Sequence, residues 1–565
     1  VYSSEGQSLS VDPPGFAASD VTSFTYDATR GGQVALTRTD PLIGTTTFAY
    51  DAFNRRTSVT DPNGVATETV YDALNRVTQV VQKGEVAAED LVTQHVYDEL
   101  GDLLRTILPR GNVIEYGYDP AGRLVSIERK PDAATPAERT FFTLDVAGNR
   151  VKEELQSWNG TAWVTEAATD FVYSTRCHLD RVVQAPGTPE EAITDYEYDC
   201  NGNLSQVWDA NRSSGTDPPS TTYSYDTLDR LTSLTQPWVG GGTAVTTYAF
   251  DVQDHLTSVT DTEGNTTTYE YSDRDLLTQE VSPVSGTTTH AYNEHGELVE
   301  TTDARGVTVA RTVDELDRVT FVDYPGTPLD VSYTYDDPAA AFSLGRLTAI
   351  ERGRTAILYA YDRFGRTTQD GQLGYTFDEN GNRTEIHYPG GVVASYGYDF
   401  ADRQETLGVR VGQNPVQDLI LSSSYLPSGP LTSLALGNNL TENRTFDGRY
   451  APKKIQVPSR LDWSYGTDGV GNILSITDAL DATQNRTYAY QGVHYFLTQG
   501  NGPWGTRNWS YDKIGNRLSE TRDGVTDTYS YAANAAAGNT ALLTQISLGS
   551  GGTKTYQHGP AGHLT

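Results

Sequence analysis

Apolar and polar residues alternate along this chain over short runs, and each run ends in a cluster of turn formers. Tyr116-Gly-Tyr118-Asp119-Pro120-Ala121-Gly122-Arg123-Leu124-Val-Ser-Ile127 shows the unit. Tyr116 and Tyr118 alternate as a pleated strand requires. Asp119 to Gly122 supply a tight turn, and Leu124 and Ile127 open the return strand. Near copies are Tyr50-Asp51-Ala-Phe-Asn54-Arg55, Tyr71-Asp72-Ala-Leu-Asn75-Arg76, Tyr225-Asp226-Thr-Leu-Asp229-Arg230, Tyr361-Asp362-Arg-Phe-Gly365-Arg366, Phe377-Asp378-Glu-Asn-Gly381-Asn382 and Tyr511-Asp512-Lys-Ile-Gly515-Asn516. From Tyr26 to Tyr556 there are about 24 such turn starts, one of them at Tyr465, at a mean spacing of about 23 residues. A second turn falls about ten residues after the first, as in Asp61-Pro62-Asn63-Gly64, which leaves two strands of roughly six to eight residues per unit. Strands joined by short turns pair antiparallel, so the pattern predicts an all-β meander of about 48 strands. Laid flat at ~4.8 Å per strand it would be roughly 230 Å wide. Strands twist and wide sheets curl, so a spiral or barrel-like wall is expected.

The turn chemistry accounts for the residue choices. Asp at the first position accepts hydrogen bonds from N–H groups two residues on. Gly or Asn at the fourth position tolerates the left-handed conformation, and the extra residue makes a bulge that bends every unit the same way. The aromatic ring is expected to pack on the neighbouring repeat, stacking Tyr118 on the next one. Arg123 and its equivalents are expected to pair with the Asp of an adjacent turn.

Residues 1–20 lack the signature and read as a connector or irregular opening strand. Residues 21–565 carry the repeats, degenerate around 401–460. Ser157–Trp163 places Asn159-Gly160 between two tryptophans, a strong hairpin tip. Residues 532–541 read as a loop or one helical turn. The chain has 565 residues, no Met, and an unfinished repeat at Tyr556–Thr565, so it reads as a segment cut at both ends from a longer polypeptide.

A net charge of −33 argues against nucleic acid and anionic membrane surfaces as partners and suits a large secreted body. No apolar run reaches the ~18 residues of a membrane span. The two cysteines, Cys177 and Cys200, stand at nearly equivalent turns one repeat apart. Either adjacent hairpins join them in a disulfide or they are two unpaired turn residues.

The repeats resemble the YD-repeat, or Rhs, family over residues 20–565, on Tyr71-Asp72-Ala-Leu-Asn-Arg76-Val77, Tyr118-Asp119-Pro-Ala-Gly122-Arg123-Leu124, Tyr361-Asp362-Arg-Phe-Gly365-Arg366 and Phe377-Asp378-Glu-Asn-Gly381-Asn382-Arg383. The resemblance implies a sheet ribbon spiralling into a hollow cocoon. It implies a non-enzymatic shell, secreted or at the cell surface, whose partners are the rest of its own polypeptide: a plug and a C-terminal cargo domain such as a toxin. Relatives carry a self-cleaving core rich in Asp-Pro-x-Gly after the repeats. No such run precedes Thr565, so self-cleavage is not assigned to this segment. The alternative is an extracellular adhesin that binds cells or glycans, or assembles with its own copies.

Nothing in the sequence marks a catalytic centre, a cofactor or a metal. The repeat Asp has a turn role in nearly every copy. Asp61-Pro-Asn63-Gly64 and Asp378-Glu-Asn380-Gly381-Asn382 look faintly like calcium loops but lack the sixth-position Gly and twelfth-position Glu. His290/His295 and His558/His563 are expected as solvated surface residues. Seven scattered Trp, Trp208 and Trp238 among them, are the one hint of a sugar platform.

Overall fold

In the turn Tyr118–Arg123, sequence becomes curvature. The Asp119 N–H donates to the Arg123 carbonyl at 2.9 Å, and the Gly122 N–H donates to the Asp119 carbonyl at 2.9 Å. One carboxylate oxygen of Asp119 accepts from the N–H groups of Ala121 at 2.9 Å and Arg123 at 3.0 Å. Gly122 sits at φ 73°, where a Cβ is costly. Asn54, Asn75 and Asp229 take the same place at φ 63°, 67° and 61°, short polar residues that tolerate it. The turn holds one residue more than its partner strand, so the pairing slips between Gly117 and Tyr118. The same slip falls before Tyr26, Tyr50, Tyr71, Tyr97 and so on to Tyr531. A bulge repeated on one edge bends the ribbon always in one sense.

The other carboxylate oxygen of Asp119 accepts from Arg123 Nε at 2.8 Å. Arg123 Nη1 then donates to the carbonyl of Asp145, in the next turn, at 2.8 Å. Arg76 bonds Asp72 at 2.7 Å and the Asp98 carbonyl at 3.0 Å, and Arg366 bonds Asp362 at 2.5 Å and the Asp378 carbonyl at 2.7 Å. Sequence led to the adjacent Asp as partner. Arg318 and Arg230 do reach one, Asp336 at 2.6 Å and Asp254 at 2.7 Å, whereas each of Arg76, Arg123 and Arg366 pairs with the carboxylate of its own turn and caps the backbone of the next. The Arg76 guanidinium also lies over the following aromatic ring, 4.7 Å from the Tyr97 centroid, an attraction of the cation–π kind. The tyrosines face the other way. Tyr118 Oη donates to the Leu103 carbonyl at 3.1 Å, Tyr71 to Arg56 at 2.9 Å and Tyr361 to Leu347 at 2.7 Å. Tyr118 therefore fastens onto the preceding repeat, not the next.

This computed structural model describes residues 1–3, 7–12, 20–212, 215, 217–536 and 538–565. Its 48 strands, from Ser10–Val11 to Thr553–Thr555, form one continuous antiparallel sheet. Each strand pairs with its neighbours in sequence, and the sheet does not close, because the first strand pairs with Thr22–Tyr26 and the last with Asn539–Ser547. Asn159-Gly160 tips a long hairpin, Arg150–Trp158 and Trp163–Tyr173, closed by a Trp158–Trp163 ring contact at 5.3 Å.

Local departures from expectation are small. Residues 401–460 keep the paired strands, with turns closed by Leu426 on Pro430 at 3.1 Å and Asp447 on Ala451 at 3.0 Å, and carry register shifts at Leu407/Gly408 and Ile420/Ser422 besides those at the turns. The turn expected at Tyr465 lies at Thr467–Asn472, and the one expected at Tyr556 lies at His558–His563. There His558 Nε2 takes the tyrosine's place, 2.8 Å from the Leu543 carbonyl. Within 532–541 a tight turn persists, closed by Asn534 on Gly538 at 2.8 Å, with residue 537 outside the described residues. Cys177 and Cys200 are exposed free thiols. Cys177 occupies the left-handed turn position at φ 62°.

The ribbon winds over itself. Side chains near residues 20–290 meet turns 250 to 299 residues further along. Each coil thus takes about half of the strands, roughly 24, and at ~4.8 Å per strand measures roughly 115 Å around. A one-layer wall buries little within itself. Several of its few buried apolar residues, Val65, Val113, Ala185 and Ala244, sit at or beside turns where the first coil meets the second.

The turn geometry sets a test. Gly122→Val should cost about 1–3 kcal/mol through backbone strain, whereas Gly122→Asn, copying Asn54 and Asn75, should melt near the parent. Equal melting temperatures for the two variants would remove the bending role assigned to this position.

Candidate functional site: the seam between coils

The edges that meet are unlike. The first coil offers its second-type turns, near residues 63, 112, 211 and 265. The second coil offers the turns that follow its aromatic-ended strands, most of them opened by Asp, from Asp337 to Asn534. Asn63 sits beside Gly64 in a turn already closed by Asp61, which accepts from Val65 N–H at 2.8 Å. Its amide is therefore spare, and it bonds the backbone of Leu344 both ways, accepting from N–H at 3.0 Å and donating to the carbonyl at 3.0 Å. Asn112 donates to the Phe400 carbonyl at 2.9 Å and accepts from Asn380 at 2.9 Å. Asn211 accepts from Gly469 N–H and donates to Asp468, each at 2.8 Å. Asn265 donates to the Asn539 carbonyl at 2.8 Å and accepts from Asn534 at 2.9 Å. An amide offers a donor and an acceptor on one short arm, which suits it to grip a peptide unit edge-on. Asn265, the first residue of an Asn-x-Thr triplet, is only 7% exposed, so the seam closes it to glycosylation.

Charge reinforces these contacts. Arg110 donates to Asp402 at 2.8 Å and to the carbonyls of Tyr398 at 3.0 Å and Asp399 at 3.3 Å, and lies 3.4 Å from Asp378. Arg403 bonds Glu138 at 2.9 Å. Burial pushes the Glu138 carboxyl up from its usual value, opposed by Arg403. Tyr495 donates to Asp209 at 2.6 Å; burial and then that carboxylate raise the phenol. Beside them Trp208, Trp238, Tyr490 and Tyr495 line a cavity of about 370 Å³.

The turn residues singled out in sequence divide between seam and free rim. Asp362 orders the turn that carries Arg363, whose Nε donates to the Lys83 carbonyl at 2.7 Å. Asp378 and Gly381 flank Asn380, and Asp512 and Gly515 flank Lys513, whose N–H donates to Glu263 at 3.0 Å. Tyr71, Asp72, Arg76, Tyr118, Asp119, Gly122 and Arg123 lie in first-coil turns. Their outward residues are bare: Leu74 is 67% exposed and Leu100 87%. Sequence reading missed Asn63, Arg110, Asn112, Glu138 and Asn211. For Asn63 the available signal was an Asn beside a Gly in a turn where Asp61 already makes the closing bond. His295, expected in solvent, has a side chain 4% exposed because Asp20 lies against it.

Against known proteins, the RHS Repeat family matches residues 32–67, 50–84 and 97–135, and the Teneurin YD-shell family matches residues 168–340. YD-type repeats thus run through residues 32–84, 97–135 and 168–340. No curated protein sequence matches it. Among solved structures, the Photorhabdus luminescens Tc holotoxin pore with a mutated TccC3 superposes at TM-score 0.73 and 14% identity, over 94% of this chain and 37% of that one. The TcdB2–TccC3 crystal structure gives 0.69 at 15% identity, over 97% and 37%. TcdB2–TccC3–Cdc42 gives 0.70 at 14%, over 97% and 39%. At these identities the likeness shows the fold, and this chain spans under two-fifths of the length of those chains. It is a structural segment of a shell.

Two outcomes follow from the seam and the turns. Arg110→Ala leaves Asp378 and Asp402 without their cation and should destabilise the fold by about 1–3 kcal/mol, read by urea unfolding, with Arg110→Lys recovering part. No change would mean that the contact carries no weight. In acid, bonding to Arg123, Arg230 and Arg305 holds the turn carboxyls of Asp119, Asp226 and Asp303 below the usual range, and Arg522 brings Glu520 down to about 2. A depressed carboxyl stabilises the fold above its unfolded value of about 4 and loses that contribution as pH falls through the folded value. Glu128 and Glu138, both raised by burial, oppose this. The melting temperature should hold from neutrality to about pH 4 and fall below it. A melting temperature that rises there would contradict this account.

Proposed function

We propose that this chain is the wall of a larger secreted or cell-surface polypeptide and encloses a cargo domain of that polypeptide, such as a toxin. The observation that carries this reading is the seam, a series of amide and ion-pair contacts recurring from residue 63 to residue 265 that turns an open ribbon into a continuous wall. A wall without gaps keeps proteases from its contents, and strands paired on both sides offer them few free edges. The acidic balance keeps a body of this size soluble. The Tc toxin structures share the fold and support the reading.

The test uses the full-length polypeptide that carries this segment. Downstream residues should resist limited proteolysis while the wall stands and become cleavable in the Arg110→Ala, Asn112→Ala double variant. Downstream residues cut equally fast in parent and variant would exclude enclosure.

A second reading, an adhesin that binds glycans, has one observation in its favour: the Trp208–Trp238 cavity. Glycan-array binding that is lost in Trp238→Ala would favour it over enclosure.

A further inference from the structure

The seam begins where Asp20 meets the turn Asn293–Glu297. The Asp20 side chain is 0% exposed, and neither of its carboxylate oxygens accepts a hydrogen bond. A buried carboxylate without donors demands a positive charge nearby. Its Oδ2 lies 3.2 Å from His295 Nε2. On the other side of the ring, His295 Nδ1 is 2.7 Å from Asp317 Oδ1 and 3.9 Å from Glu297 Oε2. That Glu297 oxygen is also buried without a hydrogen bond. One ligand atom from each of His295, Glu297 and Asp317 can be chosen so that all lie within 4.8 Å of one another.

We infer that His295 Nδ1, Glu297 and Asp317 form a binding site for one divalent transition-metal ion of the zinc class, with Asp20 as the carboxylate that orients the histidine. The donor set is one imidazole nitrogen and two carboxylate oxygens, which suits zinc better than calcium, an ion that takes six to eight oxygens. Bonds of about 2.0–2.2 Å to a tetrahedral ion would set the ligand atoms roughly 3.3 Å apart, close to the separations present. The cation would replace the proton now shared by Nδ1 and Asp317. With Nδ1 on the metal, Nε2 would carry the proton 3.2 Å from Asp20 Oδ2, and a metal-bound histidine usually donates its second N–H to a carboxylate. The site is strongly negative, with the carboxylates of Asp317, Glu297 and Asp20 all within 4 Å of one imidazole. The nearby Arg274 does not neutralise it, since its guanidinium donates to the carbonyls of Asn293 and Glu294. Asn293 holds the turn rigid, its side chain accepting from the N–H groups of His295, Gly296 and Glu297 at 3.0, 2.9 and 2.9 Å. Bound there, the ion would pin residue 20 to residue 295 and lock the start of the second coil under the first.

Isothermal titration with zinc chloride, with calcium and magnesium chlorides as controls, tests the site on the whole chain. The expected result is one zinc per chain, bound at least tenfold tighter than calcium, and a higher melting temperature with zinc. His295→Gln should abolish that binding and the visible spectrum of bound Co²⁺. Asp20→Asn, an orienting change, should weaken zinc about 10–100-fold while leaving a Co²⁺ spectrum. Should His295→Gln fail to fold, Asp317→Asn, at a half-exposed position, serves instead and should also weaken zinc at least tenfold. Zinc binding unchanged in these variants, no binding at all, or calcium bound as tightly as zinc would each overturn the inference.

Discussion

In turns that end in arginine the aspartate does three jobs with one carboxylate, and the rest of the wall depends on them. One oxygen of Asp119 gathers two backbone N–H groups and fixes the turn. The other holds Arg123, and Arg123 extends to the carbonyl of the following turn. Exposed ion pairs are individually weak, so the strength of the arrangement is geometric. It fixes the pitch between neighbouring repeats, and pitch decides whether the ribbon meets itself after one coil. Were each turn free to vary by a few degrees, the error summed over roughly 24 strands would carry Asn63 away from Leu344.

The seam then supplies what a single layer lacks. Apart from its coil-to-coil contacts, such a sheet presents both faces to solvent and has few positions at which a side chain can be wholly enclosed. Val65, Val113, Asn112 and Asn265 are buried where two edges meet. Polar residues predominate there because turns bring peptide groups with them, and buried peptide groups need partners. The contacts of Asn63 on Leu344 and Asn112 on Phe400 are made to backbone and tolerate change in those opposing side chains, whereas Arg110 on Asp402 and Arg403 on Glu138 do not.

The local half of this structure was legible in the sequence. Asp119 and Gly122 act within five residues, so their roles follow from turn chemistry alone, and about two dozen copies made the strand count accurate. Direction was only half legible. That Tyr118 grips the preceding repeat and Arg123 caps the following one depends on which way the bulge rotates the strands. The seam was not legible. Asn63 and Leu344 are 281 residues apart, no periodicity joins them, and an Asn in a turn already has a sufficient local explanation. His295 was misread for the same reason: its burial comes from Asp20, a whole coil earlier.

The tyrosine hydroxyls carry a consequence for how such a body is made. Tyr71, Tyr118, Tyr225 and Tyr361 all reach back to a carbonyl 14 to 21 residues earlier. A nascent chain leaving the ribosome can therefore seat each hairpin on one already finished, with no waiting for sequence yet to be translated. The amides of the first coil are in a different position. Asn63 has no partner until Leu344 has been synthesised, so growth is sequential along the ribbon while sealing lags it by a full coil. During that interval the edge stands open, and this is the period in which something could be taken inside.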